Sequence, residues 1–374
     1  MIKRQLSSAI IQRFFKGKVI ILLGPRQSGK TTLLHYITQN QPVKSMILNA
    51  DEADIRSLLT ETTSIRLKTL IGENSLVCID EAQRIQNIGL TLKLFTDMIK
   101  DVQVIASGSS SLDLANITAE PLTGRKYEYF LLPLSFDEMV RHHGLLQEKR
   151  LLEQRLIYGY YPEIVTKAGE ARELLKLLAE SYLYKDLLAF GGIKKPVLLE
   201  KILQALALQI GNEVSFNELG QLVNADNQTV ERYIDLLEKT FVIFRLPAFS
   251  RNIRNEIKKG RKIYFYDNGI RNAIIADFHL PTLRSDIGAL WENFIISERK
   301  KYLLNNGIDA RSFFWRTTQQ QEIDYIEEKE GLLSAYEIKW KRPSRKKIPL
   351  TFLRSYSVSQ SDIICPDNFE QYIT

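Results

Sequence analysis

Cysteine is nearly absent: the chain has two, Cys78 inside an apolar run and Cys365 towards the C-terminus. Neither a disulfide framework nor a cysteine-based zinc site can be built from such a pair, and this usage fits a reducing cytoplasm. Long apolar runs are missing as well. No stretch approaches the roughly 20 residues that a membrane-spanning helix needs, which argues against a membrane protein. The N-terminal MIKRQLSSAIIQRFFKGKVII is broken by Gln12, Arg13 and Lys16 and has no small-residue cleavage site behind an apolar core. It reads as an amphipathic helix leading into a strand, not as a signal peptide. Internal repeats and low-complexity tracts are also lacking. With 44% hydrophobic and 25% charged residues, the composition is that of ordinary folded domains and not of a disordered chain.

What is present is length and positive charge. A chain of 374 residues exceeds one ordinary core and suits two or three domains. Lys and Arg number 51 against 44 Asp and Glu, a formal net charge of +7, which favours a polyanionic partner. The surplus gathers in RNIRNEIKKGRK (251–262), SERKKY (297–302) and KWKRPSRKK (339–347). A solvated, solubilising surface is the alternative reading of each cluster.

From residue 18 to about 133, short β-branched runs alternate with longer helical stretches. KVIILL, KSMILNA, SLVCIDE and DVQVIAS are each short enough to be strands buried on both faces, and RKYEYFLLPLS adds a fifth near the sheet edge. Such alternation predicts an α/β fold with a parallel sheet and crossover helices. Residues 136–195 turn helical and read as a connector or lid. Residues 196–284 give a helix, two further helices at 216–223 and 227–239 joined by a short turn, and a hairpin whose two strands flank a basic loop. That order is a winged helix-turn-helix. From 285 to 374 a helix (ALWENFIISERKKYLLNN) precedes the strands SFFWR, EIDYIEE and LLSAYEIKW.

Gly24-x-x-x-x-Gly29-Lys30-Thr31 is a phosphate-loop pattern in its required setting, after the strand VIILL and before the helix TTLLHYIT. Backbone N–H groups of Gly24, Pro25, Arg26, Gln27, Ser28, Gly29, Lys30, Thr31 and Thr32, proline excepted, can turn inwards around the phosphates of ATP. Lys30 reaches the β and γ oxygens, and the helix presents its positive end. Thr31 then holds Mg²⁺ through its hydroxyl. SLVCIDEAQ supplies the rest: Asp80 at a strand end holds the metal-bound water, and Glu81 polarises the attacking water. An ordinary acidic turn is the blander reading. DVQVIASGSSS ends in hydroxyls, of which Ser107, or failing that Ser109, helps to position the nucleophile; such residues also form turns.

GPRQSGKTT, CIDEAQ, ASGSSSLDL and LTGRKYEYFLLPLSFDE together resemble a widespread family of bacterial and archaeal AAA-type ATPases whose C-terminal half is a domain of unknown function. The resemblance extends through GYYPEIV, KIYFYDNGI, GALWENF and QEIDYI. It implies an ATPase core (1–135), the helical lid (136–195), the winged helix (196–284) and a C-terminal unit similar to the restriction-endonuclease fold (285–374). Arg125, in LTGR, falls on the family's pattern as a phosphate-sensing or finger arginine; an arginine that ties strand to helix is the alternative.

Endonucleases of the PD-(D/E)XK type need two or three carboxylates for Mg²⁺ and a lysine near the attacking water. Glu337 and Lys339 are two apart, so a strand points both to one face. Asp324 lies on the preceding strand of a hairpin turning at KEGL, Glu292 sits on the helix before it, and Glu322 can substitute as a ligand. A second Mg²⁺ or an Mn²⁺ ion would bind there. An exposed strand face with cross-strand ion pairs is the alternative.

Two functional classes follow. In one, the chain is a cytoplasmic ATP-dependent enzyme acting with DNA: nucleotide changes the angle between core and winged helix, and the C-terminal domain cuts or binds nucleic acid. In the other it is a nucleotide-operated switch that binds DNA or a protein partner, or associates with itself, without cutting. The helix NQTVERYIDLLEKT sets Arg232 and Lys239 against Glu231, Asp235 and Glu238, so the basic loop at 251–262 is the better phosphate contact.

Overall fold

A computed structural model describes all residues except 110–120, 182–194, 252–259, 318 and 342–347. Lys258 and Lys259 of the basic loop, and most of the 339–347 cluster, therefore lie outside the described residues. The chain divides into two compact units, 1–134 with 239–241, and 135–238 with 242–374. Among the described residues no helix is long and apolar enough to cross a membrane.

The first unit is built on a parallel sheet of β1 (Val19–Leu23), β2 (Ser45–Asn49), β3 (Leu76–Asp80), β4 (Gln103–Gly108) and β5 (Lys126–Phe130), in the order β2-β3-β4-β1-β5. β1, β3 and β4 are buried throughout, which is why each reads as an unbroken apolar run. β5, with alternating aromatic and charged residues, takes the half-buried edge. Leu33, Leu34 and Ile37 of the helix Lys30–Gln39 close one face against Ile20, Leu22, Cys78 and Ile105. The order places β4 between β1 and β3, so the ends of all three strands meet at one rim of the sheet.

In the second unit, the helices Phe136–His143, Leu145–Arg150, Leu152–Tyr158, Pro162–Thr166 and Ala171–Ser181 precede the helix Pro196–Leu208. Ser135 and Glu138 cap the first of them reciprocally, each side chain accepting the other's backbone N–H. This helical segment does not stand apart as a connector. Tyr161, Ile164, Leu175 and Leu178 share one core with Leu199, Ile202, Val230 and Ile234, since each helix has a single apolar stripe to cover.

The helices Phe216–Val223 and Asn227–Lys239 follow, with a small sheet of β6 (Glu213–Val214), β7 (Ile243–Pro247) and β8 (Arg261–Phe265) in the order β6-β8-β7. β7 and β8 pair antiparallel around the basic loop. The long helix Ile287–Asn305 leads to a mixed sheet of β9 (Arg311–Arg316), β10 (Glu322–Lys329), β11 (Leu332–Ile338) and β12 (Val358–Ile364), ordered β12-β11-β10-β9. β10 and β11 meet at Glu330 and Gly331, whose φ values of 51° and 80° suit a two-residue hairpin turn. The two sheets touch through a bridge between Ala248 and Phe314, and Phe249 N donates to Phe314 O at 2.6 Å.

Candidate nucleotide site and carboxylate cluster

β1 runs directly into the loop 24–29, where close packing and backbone conformation explain the glycines. A Cβ on Gly24 would lie 2.1 Å from the backbone oxygen of Leu131, and Gly29 caps the following helix at φ 94°. Gln27 is also left-handed, at φ 56°. Lys30, almost fully buried, folds back over the loop and donates to Gly24 O at 2.9 Å and Pro25 O at 2.8 Å. Arg26 is half-buried, Ser28 is buried, and Gln27, Thr31 and Thr32 are exposed along the rim.

Across the sheet, Thr31 Oγ1 donates to Asp80 Oδ2 at 2.6 Å. Ser107 Oγ, on β4 between them, donates to Asp80 Oδ1, which also accepts from Glu81 N at 3.1 Å. The loop hydroxyl and the strand-end carboxylate thus share one point although 49 residues separate them. Burial, with the charge of Asp80 added, pushes the Cys78 thiol up to about 12, so it is a packing residue here. Glu81 adopts φ 51°, a strained conformation for a residue with a long side chain, and starts the 3-10 turn Ala82–Arg84.

Arg125 does not join this group. Its carbonyl accepts from Val19 N at the start of β1, whereas the phosphate loop leaves from the other end, and its guanidinium pairs with Asp97 at 2.8 Å. Within this chain it therefore ties β5 to the neighbouring helix, the alternative that its position leaves open.

Two residues of this site escape a reading of the motifs. Arg4 donates from Nη1 to Ser28 O and from Nη2 to Leu132 O, both at 2.6 Å, and so braces the loop from behind. Gln83 Nε2 donates to Glu81 Oε2 at 2.6 Å and to Ser109 Oγ at 3.2 Å. The signal for Gln83 is its place in CIDEAQ, two residues after Glu81, a position to which a reading of the motifs attaches no role.

In the second unit, Glu292, Asp324, Glu337 and Lys339 do come together. The β10–β11 register pairs Tyr325 with Tyr336, so Asp324 and Glu337 lie opposite each other one step further on. Lys339 Nζ bridges them, at 2.8 Å and 2.9 Å. A second lysine, Lys262 on β8, bridges Glu292 at 3.1 Å and Glu322 at 2.5 Å, while Tyr264 Oη donates to Glu292 at 2.6 Å. Burial is the largest influence on both glutamates: with the charge of Asp324 it pushes Glu292 and Glu337 up to about 7. Burial disfavours the Lys339 ammonium, but Asp324 and Glu337 outweigh it and hold the lysine above its usual range. Among the described residues no three Asp, Glu, His or Cys side chains converge so as to hold a metal ion. The carboxylates expected as ligands are therefore arranged around lysines. Lys262 and Tyr264 were hidden in a basic stretch, although their alternation along KIYFY places both on one strand face.

Residues 16–140 match an AAA domain. Residues 149–280 and 287–373 match two domains of unknown function, DUF8612 and DUF4143. An uncharacterised protein of Mycobacterium tuberculosis is 28% identical over 344 residues, covering 91% of this chain and 74% of its own. Uncharacterised proteins of Haemophilus influenzae (24% identity, 82% of this chain and 81% of the relative) and Methanocaldococcus jannaschii (23%, 87% and 76%) are also similar. Among solved structures, a Walker-type ATPase of Pyrococcus abyssi superposes with a TM-score of 0.49 at 15% identity, over 74% of this chain and 96% of that one.

Proposed function

We propose, on the premise of a P-loop ATPase domain at residues 16–140, that the chain binds ATP and hydrolyses it. The observation that carries this is the hydrogen bond from Thr31 Oγ1 to Asp80 Oδ2, with Glu81 next to it. A hydroxyl and a carboxylate at one point are hard oxygen donors that fit Mg²⁺, which supplies neutralising charge to the phosphates. On nucleotide binding Lys30 exchanges the carbonyls of Gly24 and Pro25 for the β and γ oxygens, a swap of neutral acceptors for anionic ones. The loop N–H groups and the helix end hold the remaining charge. Glu81 orients water and takes its proton. Glu81→Gln should keep nucleotide affinity and lower turnover by about a hundredfold or more. If affinity vanished as well, Glu81 would be structural.

For the second unit we propose a winged helix-turn-helix at 196–284 followed by a nuclease-like domain, acting with DNA. The helix order, the β6-β8-β7 sheet and the basic loop support it. Duplex affinity should then fall steeply with salt, and replacing Lys258, Lys259 and Arg261 together should flatten the slope. Asp324→Ala and Lys339→Ala should each abolish metal-dependent cutting of plasmid while leaving ATP turnover near normal. A specific observation favours the second reading, a switch that binds without cutting: every carboxylate of the cluster already faces a lysine. A parent chain that cuts neither plasmid nor single strands, with Mg²⁺ or Mn²⁺ and with or without ATP, would decide for it.

A further inference from the structure

Glu81 accounts for only half of what a hydrolytic water needs. A water attacking the γ-phosphorus must turn a lone pair towards it while both of its protons point elsewhere, so two acceptors at fixed positions orient it better than one. The turn after β3 brings a second acceptor to Glu81. Arg84 N donates to Glu81 O at 2.9 Å, closing the 3-10 turn and folding Gln83 back onto the glutamate. A carboxylate can only accept, so the amide nitrogen of Gln83 is the atom that must face Glu81 Oε2, and this fixes which way round the amide lies. The same nitrogen reaches Ser109 Oγ at the end of β4. Gln83 Oε1 is then left buried, with no hydrogen-bond partner among the described residues. A buried, unsatisfied amide oxygen costs about 1–3 kcal/mol, which a donor arriving with the substrate would remove.

We infer that Gln83 positions the hydrolytic water together with Glu81: its nitrogen holds the glutamate in place, and its oxygen accepts a hydrogen bond from the water's second O–H. This rests on the reading that the site hydrolyses ATP. As the water oxygen bonds to the γ-phosphorus, the bond to the β–γ bridging oxygen breaks and leaves its electron pair on ADP. One water proton passes to Glu81, and the other stays on the product phosphate, so that water and ATP become ADP, hydrogen phosphate and one proton held by Glu81. Gln83 neither gains nor loses a proton; it is a positioning residue. The competing account makes Gln83 a turn residue that merely ties β3 to β4 through Ser109.

Steady-state ATP turnover and binding of a fluorescent ATP analogue, on the full chain, separate these accounts. Gln83→Ala should lower kcat about tenfold or more with KM and analogue affinity within about threefold of the parent, since the interaction is made with the water and not with the nucleotide. Gln83→Glu keeps the shape but removes the N–H donor and puts a second carboxylate against Glu81, and kcat should fall at least as far. The double variant Glu81→Gln/Gln83→Ala should turn over within about twofold of Glu81→Gln alone, because two groups that act on one water are not additive. Parental kcat in Gln83→Ala, loss of analogue binding, or a double variant slower by the product of the single effects would each overturn the inference while Glu81→Gln still reports on the ATPase reading. A parent chain without turnover would overturn both.

Discussion

Replacing Arg4 by methionine tests whether the phosphate loop is braced from outside its own motif. The guanidinium is 8% exposed and donates to Ser28 O, in the loop, and to Leu132 O, beyond β5, both at 2.6 Å. The Arg4 carbonyl in turn accepts from Ser7 Oγ at 2.7 Å, which fixes the residue against the helix Leu6–Ile11. Hydrogen bonds from a charged donor contribute about 1.5–3 kcal/mol each, so losing two costs about 3–6 kcal/mol when the carbonyls stay buried. Methionine keeps most of the apolar stem, so little packing loss is added. For a unit of about this size each kcal/mol lowers the midpoint by roughly 2–4 °C, giving a fall of at least about 6 °C in the transition of the first unit. With Ser28 released, the loop must be ordered by the nucleotide itself, and ATP affinity should drop about tenfold, equivalent to about 1.4 kcal/mol. Calorimetry of the full chain and a nucleotide titration read both effects. A variant that melts within about 1 °C of the parent and binds ATP equally well would refute the reasoning, since it would mean that neither carbonyl needs the guanidinium.

Lys30→Ala should abolish nucleotide binding or turnover, checked in the same titration; unchanged hydrolysis would place the phosphates elsewhere. Lys262→Met leaves Glu292 and Glu322 facing each other without their shared cation, and should cost the second unit about 3–5 kcal/mol, read from its denaturant midpoint. A midpoint at the parental value would mean that the cluster does not depend on the charge of Lys262. Asp226, which accepts from Thr229 N at 2.8 Å at the start of the helix Asn227–Lys239, has its pKa lowered by that bond. Its stabilisation is therefore complete above about pH 4, the unfolded value, and is lost as the pH falls below it. Asp226→Ala should reduce the acid-side dependence of the melting curve of the second unit, to which Asp277 and Asp286, also held low, contribute as well; an unchanged slope would mean that the Thr229 bond adds nothing.

The parts that could be read from the chain are those in which a local pattern has one physical cause. β1, β3 and β4 are apolar throughout because both faces are covered, and Gly24 is required because Leu131 lies against it. The turn at Glu330 and Gly331 was legible because few residues adopt two successive positive φ angles. What escaped depends on partners far along the chain. Arg4 bonds to carbonyls 24 and 128 residues away, and a carbonyl leaves no mark on the residue type that carries it. β12 reads as a polar segment, VSQSDII, because as an edge strand parallel to β11 it buries little before its last two residues. Lys262 looks like one more surface cation until its carboxylates, contributed by a helix and a strand beyond it, are in place.

The insertion of a β8 lysine among carboxylates of the helix Ile287–Asn305 and β10 bears on how such chains are inherited. A segment beginning near residue 285 has its own sheet and looks like a module that could be passed between genes. Transferred alone, it would carry Glu292 without Lys262 and Tyr264, and Phe314 without the strand end at Ala248 and Phe249. A new host would have to supply a cation at the same depth, or mutate the glutamate. Recombination within this lineage should therefore leave residues 243–374 together, and a chain carrying only the last segment should either have another residue at position 292 or leave that acid open to solvent.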